Sequence, residues 1–170
     1  MQDYIITTAK TDADIQGIAR CAEITWHDTY DELLPDGQVE YMIDRYQSAD
    51  VIKHDISQNG YVYYIAVKNQ KIIAYCGIKP EQEKLFVSKI YVLPEYQRQG
   101  IASSLFKTVL ENYSDRYSTF YLTVNKNNEK AILTYTAFGF KQADTVITDI
   151  GCGYVMDDYI MEYKVTNNGN

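Results

Sequence analysis

The chain has 170 residues, 46% of them apolar, with 9 glycines and 3 prolines, which suits one folded domain with a real core and argues against low complexity. A net charge of −7 disfavours nucleic acid, whose binding needs a basic surface, and is compatible with a cationic partner. Cys21, Cys76 and Cys152 lack metal-ligand spacing and suit reduced thiols, no apolar run is long enough to span a membrane, and the N-terminus lacks the basic and apolar regions of a signal peptide, so the expectation is a cytoplasmic protein with no metal and no membrane association.

Tyr4 to Thr8 reads as a short first strand. Thr11 then offers a helix cap with Asp14 three residues on, and Ile15, Ile18, Ala19, Ala22 and Trp26 follow helical spacing to about Tyr30. Leu33-Leu34-Pro35-Asp36 breaks that helix, with Pro35 suited to a first helical turn. A second helix carries Val39, Met42, Ile43 and Tyr46, and Ser48 caps a short third one through Val51, Ile52 and Ile56, ending near Asn59-Gly60.

The period then changes. Tyr61 to Val67 and Lys71 to Ile78 are strands flanking the polar turn Lys68-Asn69-Gln70, a hairpin. The 17 tyrosines cluster in runs such as Tyr61-Val62-Tyr63-Tyr64, which suit half-buried strands, so they read first as core and strand residues. Lys84 to Leu93 is the next strand, Gly100 to about Tyr113 a helix, Ser118 to Val124 a strand, and Asn128 to Phe138 a helix. Phe140 begins another strand and Asp158 to Val165 forms the last. The order is β-α-α-β-β-β-α-β-α-β-β: a mixed α/β domain over residues 1–165, antiparallel first and with parallel crossovers later, followed by a polar, disordered tail over 166–170.

Two segments carry chemistry. In Ile90-Tyr91-Val92-Leu93-Pro94-Glu95-Tyr96-Gln97-Arg98-Gln99-Gly100-Ile101-Ala102 a strand, a polar loop and a helix N-terminus follow in that order. Such a turn gathers backbone N–H groups that have no helical partner, and the helix dipole adds partial positive charge, so it is suited to an anion. Gly100 permits close approach of a phosphate and Ala102 keeps the first turn small. The segment is neither a Walker loop, which ends in GK[ST], nor the three-glycine dinucleotide fingerprint. In Asn128 to Phe140, Ala131, Tyr135 and Phe138 share a helix face, and Gly139 suits a left-handed helix end.

The spacing Gln97-x-x-Gly100-x-Ala102 resembles the pyrophosphate-binding motif of the GCN5-related N-acetyltransferases (GNAT), and Asn128-x-x-Ala131-x-x-x-Tyr135-x-x-x-Gly139-Phe140 resembles their later N-x-x-A-x-x-x-Y-x-x-x-G-F pattern. Together the motifs cover about Lys84 to Lys141, and the order of elements extends the likeness to nearly the whole chain. The resemblance implies a central sheet of about seven strands splayed after the fourth, with acetyl-coenzyme A in the gap, and direct transfer of acetyl to a primary amine in a ternary complex. It implies a cofactor site that opens at Gln97, where the backbone donors that follow, those of Arg98, Gln99, Gly100, Ile101, Ala102 and Ser103, hold the pyrophosphate, the Arg98 side chain adds a phosphate contact, and Ile90, Tyr91 and Val92 pair with the pantetheine amides, with a backbone N–H there polarising the thioester carbonyl. Asn128 would cap its helix or bind the pantetheine arm. Tyr135 would be the general acid for the leaving thiolate.

Many members of this family place a glutamate on the fourth strand to deprotonate the amine. Here that stretch reads Leu85-Phe86-Val87-Ser88-Lys89, with Ser88 about where the glutamate would stand. A water relay, or a carboxylate such as Glu23, Asp28, Asp149 or Asp157, would have to substitute, and no base is assigned. Trp26 and Tyr30, one helical turn apart, could flank an acceptor; the competing reading packs Trp26 in the core. The Thr25–Tyr30 segment and the ending Gly153–Met161 are more loosely similar to bacterial spermidine/spermine acetyltransferases, which points to a small-molecule amine, a polyamine among the possibilities. A protein or peptide acetyltransferase and a non-catalytic acyl-coenzyme A sensor stand as alternatives. Exposed late strands in such folds often pair between subunits, which allows a homodimer.

Overall fold

The computed structural model describes residues 2–166; residues 167–170, most of the expected polar tail, lie outside the described residues. One seven-stranded mixed sheet forms the centre, in the order β1-β2-β3-β4-β5-β7-β6. Its strands are β1 (Ile5–Thr8), β2 (Val62–Lys68), β3 (Lys71–Pro80), β4 (Leu85–Val92), β5 (Thr119–Asn125), β6 (Lys141–Gly151) and β7 (Tyr154–Lys164). The helices are α1 (Asp12–Tyr30), α2 (Gln38–Gln47), α3 (Ala49–Gln58), α4 (Ile101–Tyr113) and α5 (Glu129–Phe138).

Local chemistry sets the helix ends. Thr11 accepts from the Asp14 N–H at 3.1 Å while the Asp14 carboxylate accepts from the Thr11 N–H at 2.9 Å, a reciprocal capping box. Ser48 ends α2 and its hydroxyl caps α3, a ten-residue helix where the sequence places it, so the order is β-α-α-α-β rather than β-α-α-β. Pro35 lies outside α2, in the turn before it, with its carbonyl accepting from Gln38 at 3.1 Å. The last strand begins at Tyr154, four residues earlier than the sequence pattern suggests, because β6 and β7 form one long hairpin whose tip is Cys152-Gly153.

Two irregularities in the sheet position the site. First, β4 and β5 are parallel and pair only at Leu85↔Phe120 and Phe86↔Tyr121; beyond that the strands diverge and the sheet splays open. Second, the β3–β4 register steps from Gly77↔Lys89 to Ile78↔Val87, which leaves Ser88 as the extra residue of a bulge at the mouth of the splay. The β6–β7 hairpin is tied to α2: Gln38 Nε2 donates to the Val155 carbonyl at 3.0 Å, and the Tyr41 hydroxyl donates to the Ile150 carbonyl at 2.5 Å. The core is continuous through both halves, with Phe106 of α4 packing on Phe120, Phe138, Phe140 and Tyr163. Among the described residues no helix is long and apolar enough to cross a membrane.

Candidate active site

The splay holds a cleft of about 630 Å³, walled by β4 from Val87 to Val92, by Leu122, Thr123 and Val124 of β5, by the loop entering α4, by the first turns of α5 and by the C-terminal end of α1. At one end is the strand-to-helix turn. Pro94–Tyr96 makes a single 3-10 turn, then Arg98 and Gly100 take left-handed backbone conformations with φ of +62° and +78°. No side chain caps α4, and the first N–H to bond back into its turn is that of Ser104, to the Gly100 carbonyl at 3.0 Å. Among the described residues the N–H groups from Arg98 to Ser103 donate to no protein acceptor. That is a cradle of free donors on the positive end of a helix. A Cβ built on Gly100 would meet nothing within 4 Å, so the space above the backbone is open.

Side chains hold this cradle from behind. Gln97 Nε2 donates to the Val92 carbonyl at 3.1 Å, and its Oε1 accepts from Lys130 of α5 at 2.7 Å, which ties the turn to the far wall of the cleft. Gln99 turns back to the Glu95 carbonyl at 3.3 Å and is not on the cleft wall. Gln97, Arg98, Gly100, Ile101, Ala102 and Ser103 are on it, as are Ile90, Tyr91 and Val92. From Val87 onward the β5-side edge of β4 has no strand partner, so its polar backbone groups face the cleft.

On the opposite wall, Asn128 caps α5 by accepting from the Ala131 N–H at 3.2 Å. Gly139 ends the helix at φ +107° and a Cβ there would sit 3.1 Å from the Tyr163 ring, so only glycine fits. Tyr135 faces the cleft with its ring edge-on to Phe138 and Phe140, at 6.2 and 5.9 Å. Burial pushes its phenol well above the ordinary tyrosine range, with Tyr30 and Cys76 adding to the rise, so the hydroxyl keeps its proton at neutral pH.

The end beyond β4 is aromatic. Tyr30 lines the cleft and its hydroxyl meets that of Tyr91 at 2.9 Å. Trp26 does not line it. It is 6% exposed and packs behind Tyr30 and Tyr91 at centroid distances of 5.1 and 5.5 Å, because one helical turn toward the N-terminus already places it under the sheet. Lys89, buried on the same sheet face, donates to the Tyr63 hydroxyl at 2.7 Å and the Tyr46 carbonyl at 3.2 Å, and burial pulls its ammonium down to about 8.

Of the carboxylates considered from sequence, Asp28 alone is on the cleft wall, 3.4 Å from Gln97 Nε2. Glu23 is exposed on α1. Asp149 accepts from the Gly151 N–H at 2.9 Å, and Asp157 pairs with Lys126 at 2.7 Å. Sequence reasoning passed over Asp158, which is 7% exposed. The signal was available: two consecutive aspartates on a strand face opposite sides of the sheet, so one of them must lie on the covered face.

A family model described as the Acetyltransferase (GNAT) family matches residues 17–140, from early α1 through the end of the second motif, and the chain belongs to that family. The human protein N-acetyltransferase 8 is 29% identical over 101 residues, 55% of this chain and 44% of that one. The ribosomal protein bS18-alanine N-acetyltransferase of Escherichia coli is 29% identical over 84 residues, 49% of this chain and 57% of that one. The chain thus spans about half the length of these curated relatives. The crystal structure of PaiA N-acetyltransferase from Thermoplasma acidophilum, in complex with coenzyme A, superposes with a TM-score of 0.82 at 21% identity over 96% of this chain and 100% of that one, which establishes the shared fold.

Proposed function

We propose that this protein transfers an acetyl group from acetyl-coenzyme A to a primary amine. The observation that carries the reading is the placement of two things in one cleft: a cradle of unpaired backbone donors on the α4 N-terminus, and the protonated phenol of Tyr135 on the facing wall. Family membership supports it. The cradle suits a pyrophosphate: Arg98 to Ser103 offer N–H donors, Gly100 leaves room for close approach, and the Arg98 side chain adds charge. The open edge of β4 suits amide groups laid alongside it as an extra strand.

Acetyl-coenzyme A, when bound, supplies the activated thioester; the rest is the work of this chain. From Val87 onward β4 has no partner on its β5 side, so its free backbone groups face the splay, where an N–H can polarise a carbonyl. Tyr135 gives its proton to the departing sulfur.

For the acceptor we favour a small cationic amine, polyamines included. Asp28, in the last turn of α1, and Glu32, just beyond it, stand on the cleft wall. A second reading, a peptide α-amine, is favoured by the similarity to the Escherichia coli protein named for bS18-alanine. Thiol release from acetyl-coenzyme A with spermidine, spermine, an aminoglycoside and short peptides separates them. Saturation at low polyamine concentration supports the first reading and turnover with peptides alone supports the second. Silence across the panel, with acetyl-coenzyme A still bound, would replace both with a binding module.

A further inference from the structure

Among the described residues, the buried polar side-chain atoms without a hydrogen-bond partner are Trp26 Nε1, Gln47 Nε2 and Asp158 Oδ1. The first two are neutral donors at the edge of an aromatic core. Asp158 is different, because an ionised carboxylate left unpaired away from water costs several times more than a neutral amide. An expensive, unpartnered group of this kind calls for something that completes it.

Its position says what that is. Asp158 is the cross-strand partner of Asn125, and its strand neighbour two residues on, Ile160, is the partner of Thr123. Paired residues share a sheet face, so Asp158, Asn125 and Thr123 lie on one side of the β5–β7 ribbon, and Thr123 is on the cleft wall. On this side Asn125 and Asp158 are buried while Thr123 is exposed. The Asp158 charge is felt at the Tyr30 phenol and raises it further, after burial and against the hydrogen bond from Tyr91; the Asn128 amide lies at the same phenol. Thus Asp158 is a buried carboxylate near Tyr30, behind the cleft wall that Tyr30 and Thr123 form and not itself on it.

We propose that Asp158 receives the cationic amine of the acceptor and takes its proton, filling the place that Ser88 leaves vacant on β4. The inference rests on the acetyl-transfer reading above. An ammonium N–H supplies the partner that Oδ1 lacks. The proton moves from nitrogen to the carboxylate. The freed nitrogen lone pair then forms the C–N bond to the acetyl carbon as the C–S bond breaks, and Tyr135 protonates the sulfur. The second amine proton returns through water to the Tyr135 phenolate, and Asp158 releases the first to solvent.

The charged and titratable groups facing Asp158 agree with this role. Those whose charge reaches it are Asp157, on the opposite face of its own strand, Lys126 just after β5, and Tyr30 from α1, while its cross-strand neighbours Asn125 and Val146 are neutral. Burial first, then Asp157, push the carboxyl up to about 6 against the pull of Lys126. A base in that range is ionised at neutral pH yet still a competent proton acceptor.

The test uses the full-length protein and its isosteric variant Asp158→Asn. Turnover with spermidine should fall by about 100-fold or more, with the KM for acetyl-coenzyme A unchanged, and the acid limb of the pH profile should disappear. Activity is not the sole readout. Calorimetry of spermidine binding to the coenzyme A-saturated protein at pH 5.5, in two buffers of different ionisation enthalpy, should show proton release in the wild type and none in the variant, because the cation requires Asp158 ionised. Wild-type-like turnover with an unmoved acid limb, or proton release that survives in the variant, overturns the proposal while leaving the transferase intact. Asp158-dependent proton release without acetylation of any amine removes the transferase reading and retains the amine site. If the variant folds poorly, the wild type decides alone: no proton release at pH 5.5 overturns the proposal.

Discussion

The two ends of the cleft are built from different materials. The end proposed for the phosphate is backbone: a left-handed Arg98, a left-handed Gly100 and a row of N–H groups without an acceptor among the described residues. The end proposed for the amine is side chains drawn from elements far apart in the chain: Tyr30 from α1, Ser88 from the β4 bulge and Tyr91 from β4 line the cleft, and Asp158 from β7 is buried behind that wall. A backbone site depends on conformation and tolerates side-chain change so long as the turn keeps its shape. A side-chain site depends on identity at each position. One fold can therefore keep its donor of acyl groups constant while its acceptor varies.

The largest effect should come from the wall between the two ends. Replacing Tyr135 with Phe keeps the ring packing on Phe138 and Phe140 and removes the proton; kcat should fall by about 100-fold or more with acetyl-coenzyme A affinity little changed. Stopped-flow thiol release together with equilibrium binding measures both, and unaltered turnover would strip Tyr135 of its role.

Next, Gly100→Val probes the backbone end. At φ +78° a β-branched residue is strained by about 1–3 kcal/mol, so the turn should relax to another shape. Coenzyme A affinity should drop by about tenfold or more, with the acceptor KM unaffected once the cofactor is saturating. A matching rise in acceptor KM would show that the two ends are not separable.

A smaller effect, on stability, should mark the amine end. The folded-state value of Asp158 is raised from 3.8 to about 6, so its proton favours the folded state. That contribution is present below about pH 4 and lost as pH rises through 6, where the ionised group is a liability of at most about 3 kcal/mol. Asp158→Asn should therefore raise the melting temperature by several degrees at pH 8 and leave it unchanged at pH 4. A variant less stable than the wild type at pH 8 would mean that the carboxylate has a structural partner.

The most delicate change is Asp157→Asn. Asp157 raises its neighbour and neutralises Lys126, so removing it should shift the acid limb of the rate profile to lower pH without abolishing it. A shift to higher pH would contradict the charge arrangement described above.

The same division explains what was readable in advance. Residues 97–103 and 128–140 are short contiguous runs, so the cradle, the Asn128 cap, the Tyr135 face and the Gly139 stop all follow from local spacing. The splay after the fourth strand followed from the family likeness, and the β4–β5 pairing shows it. The amine end was much less legible. Whether Trp26 or Tyr30 reaches the cleft depends on how α1 rolls against the sheet, which periodicity does not determine. The choice between Asp157 and Asp158 depends on the register of β7 against β5, a long-range pairing invisible in either segment alone. The element order counts two helices before β2 where the structure has three, although the Ser48 cap and the apolar positions Val51, Ile52 and Ile56 mark the third in the sequence.

The strand order carries one more consequence. β7 lies between β5 and β6, although it follows both in the chain. The hairpin must therefore dock by its second strand, and until it does, β5 has an open edge and Asp158 is absent from the neighbourhood of Tyr30. The β1–α5 portion can form its hairpins, its bulge and its phosphate cradle from nearer neighbours in sequence. Because Phe106 of α4 packs on Phe140 and Tyr163, docking of the late hairpin completes the core under the donor half and brings Asp158 to the acceptor half in one step of long sequence separation.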